Sequence, residues 1–215
     1  MSIALILVNI SVISGFFPLI AATYNYRQLE PVIKLMAAFC LASAIIDLTS
    51  LTIMYFQVVH STFFLIHLFN LLAVAFFSTI YYRAFYEPLF KKITLVLGAI
   101  CFLVLSCNAV FIQGIRTYPS ISNTALSLLL ILLSLMYFYQ LLSRQEFMYI
   151  EKQGLFWINA GVLFYFSITI FLFMLWGKIS IVSRSDFYMI QSVTNIIANL
   201  LYSVGLLCKP QKTTT

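Results

Sequence analysis

The sequence predicts an all-α integral membrane protein: one bundle of seven transmembrane helices, with the N-terminus outside and the C-terminus inside. Three observations carry this. Of 215 residues, 63% are hydrophobic and 8% charged, where soluble domains hold roughly 25% charged. The apolar residues form continuous runs of the length that one helix needs to cross a bilayer. Pro88, Pro119 and Pro210 fall in the gaps between runs, as helix breakers do. A transmembrane barrel would instead alternate over strands of about 10 residues.

The spans follow in order. The first is Ile3 to Thr23, with Pro18 as an expected kink. The second is Leu35 to Phe56, entered through Pro31, since proline is tolerated at a helix start. The third is Phe63 to Tyr82, the fourth Ile93 to Ile112 and the fifth Ile121 to Leu142. The sixth is Leu155 to Trp176 and the seventh Phe187 to Leu207. No polar segment is long enough for a second domain. Residues 1–208 are read as one membrane domain and 209–215 as a short cytoplasmic tail. No basic stretch precedes the first run, so no cleaved signal peptide is expected.

Charge sets the expected orientation. The first, third and fifth loops and the tail carry Arg27, Lys34, Arg83, Lys91, Lys92, Arg144, Lys152, Lys209 and Lys212. The other side carries Arg116, Lys178 and Arg184, so the division is nine to three. Scattered at helix ends, this charge reads as membrane topology and not as nucleic-acid binding.

Asp47 lies at the centre of the second span, where a carboxylate costs about 2.5–3.5 kcal/mol on insertion scales. It must face other helices or a wet cavity. Ser43, Asp47 and Ser50 share one helix face, and His67 and Asn70 share another. Gln191, Asn195 and Asn199 form an i, i+4, i+8 stripe continued by Tyr202. At 1.5 Å per residue, Asp47 lies roughly 14 Å below the outer surface, His67 roughly 6 Å and Asn70 roughly 10 Å. Gln191, Asn195 and Asn199 lie at roughly 6, 12 and 18 Å. These faces converge on an expected polar pocket among spans two, three, six and seven, open to the outside. The competing reading makes the amides packing glue between helices, Asp47 a neutral hydrogen-bonded residue and His67 a structural one. His60 is placed in a loop. Trp157 and Trp176, at the ends of the sixth span, are read as interfacial anchors.

Several chemistries lack their residues. A retinal protein needs a lysine in its last span, and here none precedes Lys209. Seven-helix zinc hydrolases use several histidines, and this chain has two. Cys40, Cys101, Cys107 and Cys208 form no CxxC pair, so neither a zinc site nor a disulfide framework is expected. No arginine ladder or P-loop is present. The chain is read as no enzyme, with no cofactor.

The runs Leu155-Phe-Trp-Ile-Asn-Ala-Gly-Val-Leu-Phe-Tyr-Phe-Ser167, Ser134-Leu-Met-Tyr-Phe-Tyr-Gln-Leu-Leu142 and Asn195-Ile-Ile-Ala-Asn-Leu-Leu-Tyr-Ser-Val-Gly-Leu-Leu-Cys208 resemble a recurrent pattern, as does Tyr81-Tyr82-Arg83. The pattern belongs to a family of small seven-helix proteins common in Bacteroidota, with no established activity. The resemblance implies the seven-helix fold and a bacterial inner membrane. Relatives occur near sensor histidine kinases, which implies signalling. The family pattern places an acid in the third span where this chain has Ala73, which shifts weight onto Asp47.

Three functions fit. The first is a receptor or sensor subunit, whose small ligand contacts Asp47, His67, Asn70, Gln191, Asn195 and Asn199. A separate cytoplasmic partner, such as a histidine kinase, would read helix displacement at the basic inner loops. The second is a small-solute transporter of three-plus-one-plus-three type. A weak likeness of Ile66-His67 to Ile190-Gln191, and of Asn70-Leu71 to Thr194-Asn195, suggests such a repeat. Asn159, Asn199, Ser78, Tyr137 and Gln140 would line its inner route. The third is a structural or assembly protein without a ligand. Packed aliphatics in the inner half favour the receptor; a continuous wet path favours transport.

Overall fold

The computed structural model describes residues 3–56, 62–143, 150–176 and 184–208. His60, Arg144, Lys178, Lys209, Lys212 and the expected tail lie outside the described residues. Among those described, the secondary structure is entirely helical. The helices are α1 (Ile3–Ser14), α2 (Phe16–Asn25), α3 (Pro31–Phe56), α4 (Phe63–Ala84), α5 (Pro88–Cys107), α6 (Ser120–Ser143), α7 (Gly154–Leu175) and α8 (Arg184–Leu207). With α1 and α2 joined, seven segments are long and apolar enough to span a membrane. The chain is therefore a multi-pass membrane protein.

The first span breaks at Gly15, between α1 and α2. Pro18 has no N–H to give the Ser14 carbonyl one turn earlier, and its ring crowds that carbonyl. The helix bends there, as the sequence predicts. Two other helices begin earlier than predicted. α3 starts at Pro31 and α5 at Pro88, each with proline in its first turn. Lys34, Lys91 and Lys92, which the hydropathy pattern assigns to loops, are helical. Long lysine side chains can lay their stems along apolar surface and extend the ammonium to water, so a membrane helix can begin with them. Lys34 Nζ sits 5.2 Å from the centre of the Tyr26 ring, and Lys91 Nζ 5.8 Å from that of Tyr82. Past α5 the chain adds one wider π turn, Asn108–Ile112.

Six spans close a ring. The first packs on α8 and α3, α3 on α4, α4 on α6, α6 on α7 and α7 on α8. α5 stands outside this ring, against α4 and α6. We call the end of the bundle at Ile3 the N-face and the opposite end, at Leu207, the C-face.

The C-face half is solid. Met36, Ile80, Phe85, Leu133, Ile158 and Leu206 are almost wholly buried there. Glycines bring α7 and α8 together: a Cβ on Gly205 would come within 2.6 Å of the Gly154 carbonyl oxygen. Small residues allow such backbone approach between membrane helices. At the same end the Asn25 side chain donates to the carbonyls of Leu206 (3.2 Å) and Cys208 (3.3 Å), pinning the first span to the last.

The N-face half is looser. In α3 the buried side chains, including Ile33, Met36, Phe39, Cys40 and Ala44, all precede Ile45. From Ile45 to Phe56 no described side chain of that helix is buried. α1 leans on α8, where Asn195 donates to Ser11 Oγ and Asn199 to Ser14 Oγ, both at 2.9 Å. α3 leans on α4. The two first helices of the ring thus part company above the kink.

A candidate ligand cavity in the N-face half

Into that space opens a cavity of ≈ 380 Å³. Ser11 and Val12 of α1 line it, with Ser43, Asp47 and Ser50 of α3 and Phe69 and Asn70 of α4. Asn123 of α6, Tyr165 and Phe166 of α7, and Gln191 and Asn195 of α8 complete the wall. A smaller pocket of ≈ 70 Å³ shares Ser43, Asp47, Phe69, Tyr165, Phe166 and Asn195 and runs deeper, to Asn199 and Tyr202. Tyr202 fits because α7 has Gly161 opposite: a Cβ there would lie 2.7 Å from the Tyr202 ring.

Asp47, Asn70, Gln191 and Asn195 therefore meet around one cavity, and Asn199 lines its deeper pocket. His67 is apart from them. It is buried, it is absent from the cavity wall, and its Nε2 has no hydrogen-bond partner among the described residues. Spacing of i, i+3 separates two side chains by about 60° around a helix, which is enough to send them to different neighbours.

Most of the amides are engaged within the protein. Asn70 Nδ2 donates to Asn123 Oδ1 at 2.6 Å. Asn195 and Asn199 hold the first span through Ser11 and Ser14. Gln191 interacts with the Tyr165 phenol. The stripe on α8 is thus helix–helix glue as well as cavity wall. Asp47 differs: it is exposed to the cavity, and no lysine, arginine or histidine lines either pocket among the described residues.

Aromatic rings gather at the N-face end of the cavity. Tyr118, in the connection before α6, stacks on Trp176 with ring centres 4.0 Å apart and planes 25° apart. Phe63 meets Tyr118 edge-on at 5.9 Å, and Phe187 meets Trp176 at 4.7 Å. Burial pushes the Tyr118 phenol above its ordinary range, against the opposing effect of a hydrogen bond with Asn123. Trp176, expected as a simple interfacial anchor, is part of this stack. Trp176→Ala is expected to remove a contact worth about 0.5–1.5 kcal/mol beyond its buried area. Lower thermal stability in detergent, largely restored by Trp176→Phe, would show it.

The residues proposed for an inner route are built into separate contacts. Asn159 bonds Tyr81 and the Ser134 carbonyl; Gln140 accepts from Tyr86 N at 2.8 Å and donates to the Ala84 carbonyl. Ser78 faces α5, pressed against Gly98. Tyr137 is buried.

Sequence reasoning missed Tyr118, Asn123, Tyr165 and Ser11. Asn123 and Ser127 carry a signal, since they are i, i+4 polar residues on one face of a span. The tyrosines carry none in a chain with 13 of them. No protein-family model, curated protein or solved structure matches this chain.

Proposed function

We propose that the protein is a receptor or sensor subunit of the bacterial inner membrane. The N-face lies outside, as the nine-to-three division of basic residues implies. A small ligand occupies the cavity beside Asp47. The observation that supports this is asymmetry: an accessible, carboxylate-bearing cavity in one half of the bundle, and close-packed side chains in the other. A ligand there can change how α3 sits against the ring while the C-face half stays sealed. The shift would be read at the C-face by a separate cytoplasmic protein, of which a histidine kinase is the kind that the family resemblance implies.

A carrier is the second reading, and one observation favours it. The fourth span stands outside a ring formed by the first three and last three, the layout of a three-plus-one-plus-three transporter. A carrier would have to open the C-face packing on each cycle.

The deciding experiment is purification from native membranes in nanodiscs, followed by mass spectrometry of everything that copurifies. A cytoplasmic signalling protein in stoichiometric amount supports the receptor. A bound solute alone, with flux into liposomes, supports the carrier, and neither would leave a structural role. Asp47→Asn is expected to reduce ligand response or flux at least tenfold with folding intact. A wild-type response from that variant would remove Asp47 from the site.

A further inference from the structure

We infer that the ligand is an organic monocation, a protonated amine with an apolar body, held by Asp47 among aromatic rings. This rests on the reading of the cavity as a ligand site and adds the class of ligand.

Charge is the first argument. The cavity wall carries one carboxylate and no basic side chain among the described residues. An anionic ligand would meet Asp47 with nothing to offset the repulsion. A cation supplies the partner that a carboxylate away from bulk water otherwise lacks.

Hydrogen bonding is the second. A sugar-like neutral ligand needs several free amides and hydroxyls. Here Asn70 is engaged by Asn123, Asn195 by Ser11, Asn199 by Ser14 and Gln191 by Tyr165. These amides keep some bonding sites, but Asp47 is the charged wall group and no described side chain forms an ion pair with it; the Ser43 and Ser50 hydroxyls share its helix face.

The third is the remainder of the wall. Phe69, Tyr165 and Phe166 flank Asp47, and Phe63, Tyr118 and Tyr188 stand toward the N-face. Aromatic faces attract a cation within about 6 Å and cover the apolar body behind it. A hard metal ion would instead need about six oxygen ligands and favours charged ones, whereas this wall carries a single carboxylate beside its hydroxyls, amides and rings. A cavity of ≈ 380 Å³ suits one small organic molecule.

The test uses the full chain in nanodiscs, in potassium phosphate rather than an amine buffer. Three probes share one hydrocarbon body: 4-phenylbutylammonium, 4-phenylbutanol and 4-phenylbutyrate. Binding is read by thermal shift and calorimetry, with Asp47→Asn and Asp47→Glu beside the wild type. The ammonium is expected to bind at least tenfold more tightly than the alcohol, and the carboxylate least. Asp47→Asn should abolish the preference and leave alcohol binding unchanged, while Asp47→Glu retains part of it. Equal binding of ammonium and alcohol would overturn the monocation and leave the cavity standing as a site. Binding of none of the three would overturn both. Sodium chloride alone, matching the ammonium in an Asp47-dependent stabilisation, would overturn the organic cation in favour of a metal ion.

Discussion

Gly205→Val is expected to abolish most of the folded, monodisperse protein. A Cβ at this position would lie 2.6 Å from the Gly154 carbonyl oxygen and 2.7 Å from Ile158 Cγ1. The first obstacle is backbone in the opening turn of α7, and it cannot rotate away as a flexible side chain would. The helices must separate. Overpacking a close-packed site typically costs about 1–3 kcal/mol, occasionally more, and valine places three carbons where none fit. The damage would spread, because α7 and α8 also seat Tyr202 against Gly161 and anchor Asn25 at the C-face. Size-exclusion yield and thermal unfolding in detergent read the effect. Val204→Leu, on an exposed position one residue earlier, is the control and should be neutral. A Gly205→Val protein with wild-type yield and stability would mean that α7 and α8 do not meet at these glycines.

Asn159→Leu is expected to be the next most damaging change. The Tyr81 hydroxyl donates to Asn159 Oδ1 at 2.6 Å and lies 2.7 Å from Ser134 Oγ. Tyrosine has one hydroxyl hydrogen, so Ser134 is the donor to Tyr81. Asn159 Nδ2 returns a bond to the Ser134 carbonyl at 3.2 Å. The three residues join α4, α6 and α7, and all are nearly inaccessible. Leucine would strip the Tyr81 hydrogen of its acceptor inside a dry core, a loss of about 1–3 kcal/mol. Hydrogen bonds within membranes average nearer about 0.6 kcal/mol because the unfolded chain also finds partners. The larger figure applies here because one substitution leaves a buried donor unpaired. Tyr81→Phe combined with Asn159→Leu should therefore cost less than the sum of the two single changes. Strict additivity in thermal or denaturant unfolding would show that the bond contributes little.

The number and order of the spans were legible because bilayer thickness forces long apolar runs. Their ends were not. Hydropathy stops at Lys34 and Lys92, whereas the helices continue through them to Pro31 and Pro88. Helical spacing correctly turned Ser43, Asp47 and Ser50 to one wall, and Asn195 and Asn199 inward. It could not name Ser11 and Ser14 as the partners of that stripe. Those contacts span more than 180 residues, and small hydroxyls in a first span look like any others. His67 shows the reverse failure. Its chemistry suggested the site, and an offset of about 60° from Asn70 around α4 takes it off the cavity wall. Aromatic residues were too abundant to stand out, so the rings around Asp47 emerge only from packing.

The N-face half of α3, which has no described buried side chain, has a consequence for how a ligand arrives. Val8, Ser11 and Val12 of α1 and Ser43, Ile46, Asp47 and Ser50 of α3 line the cavity, so a side entrance from the hydrocarbon tails would lie between these two helices. For a ligand entering by that side, the bilayer would be the reservoir. An amphiphilic amine would first dissolve among the lipids, concentrate there according to its oil–water partitioning, and diffuse sideways in two dimensions to Asp47. Potency quoted per litre of buffer would rise with each methylene added to the molecule, by about 0.8 kcal/mol of transfer free energy, even where that methylene touches no protein atom. It would also fall as more lipid is added at fixed total dose. By that route the cavity would sample the leaflet around the N-face, and the surrounding medium only through it.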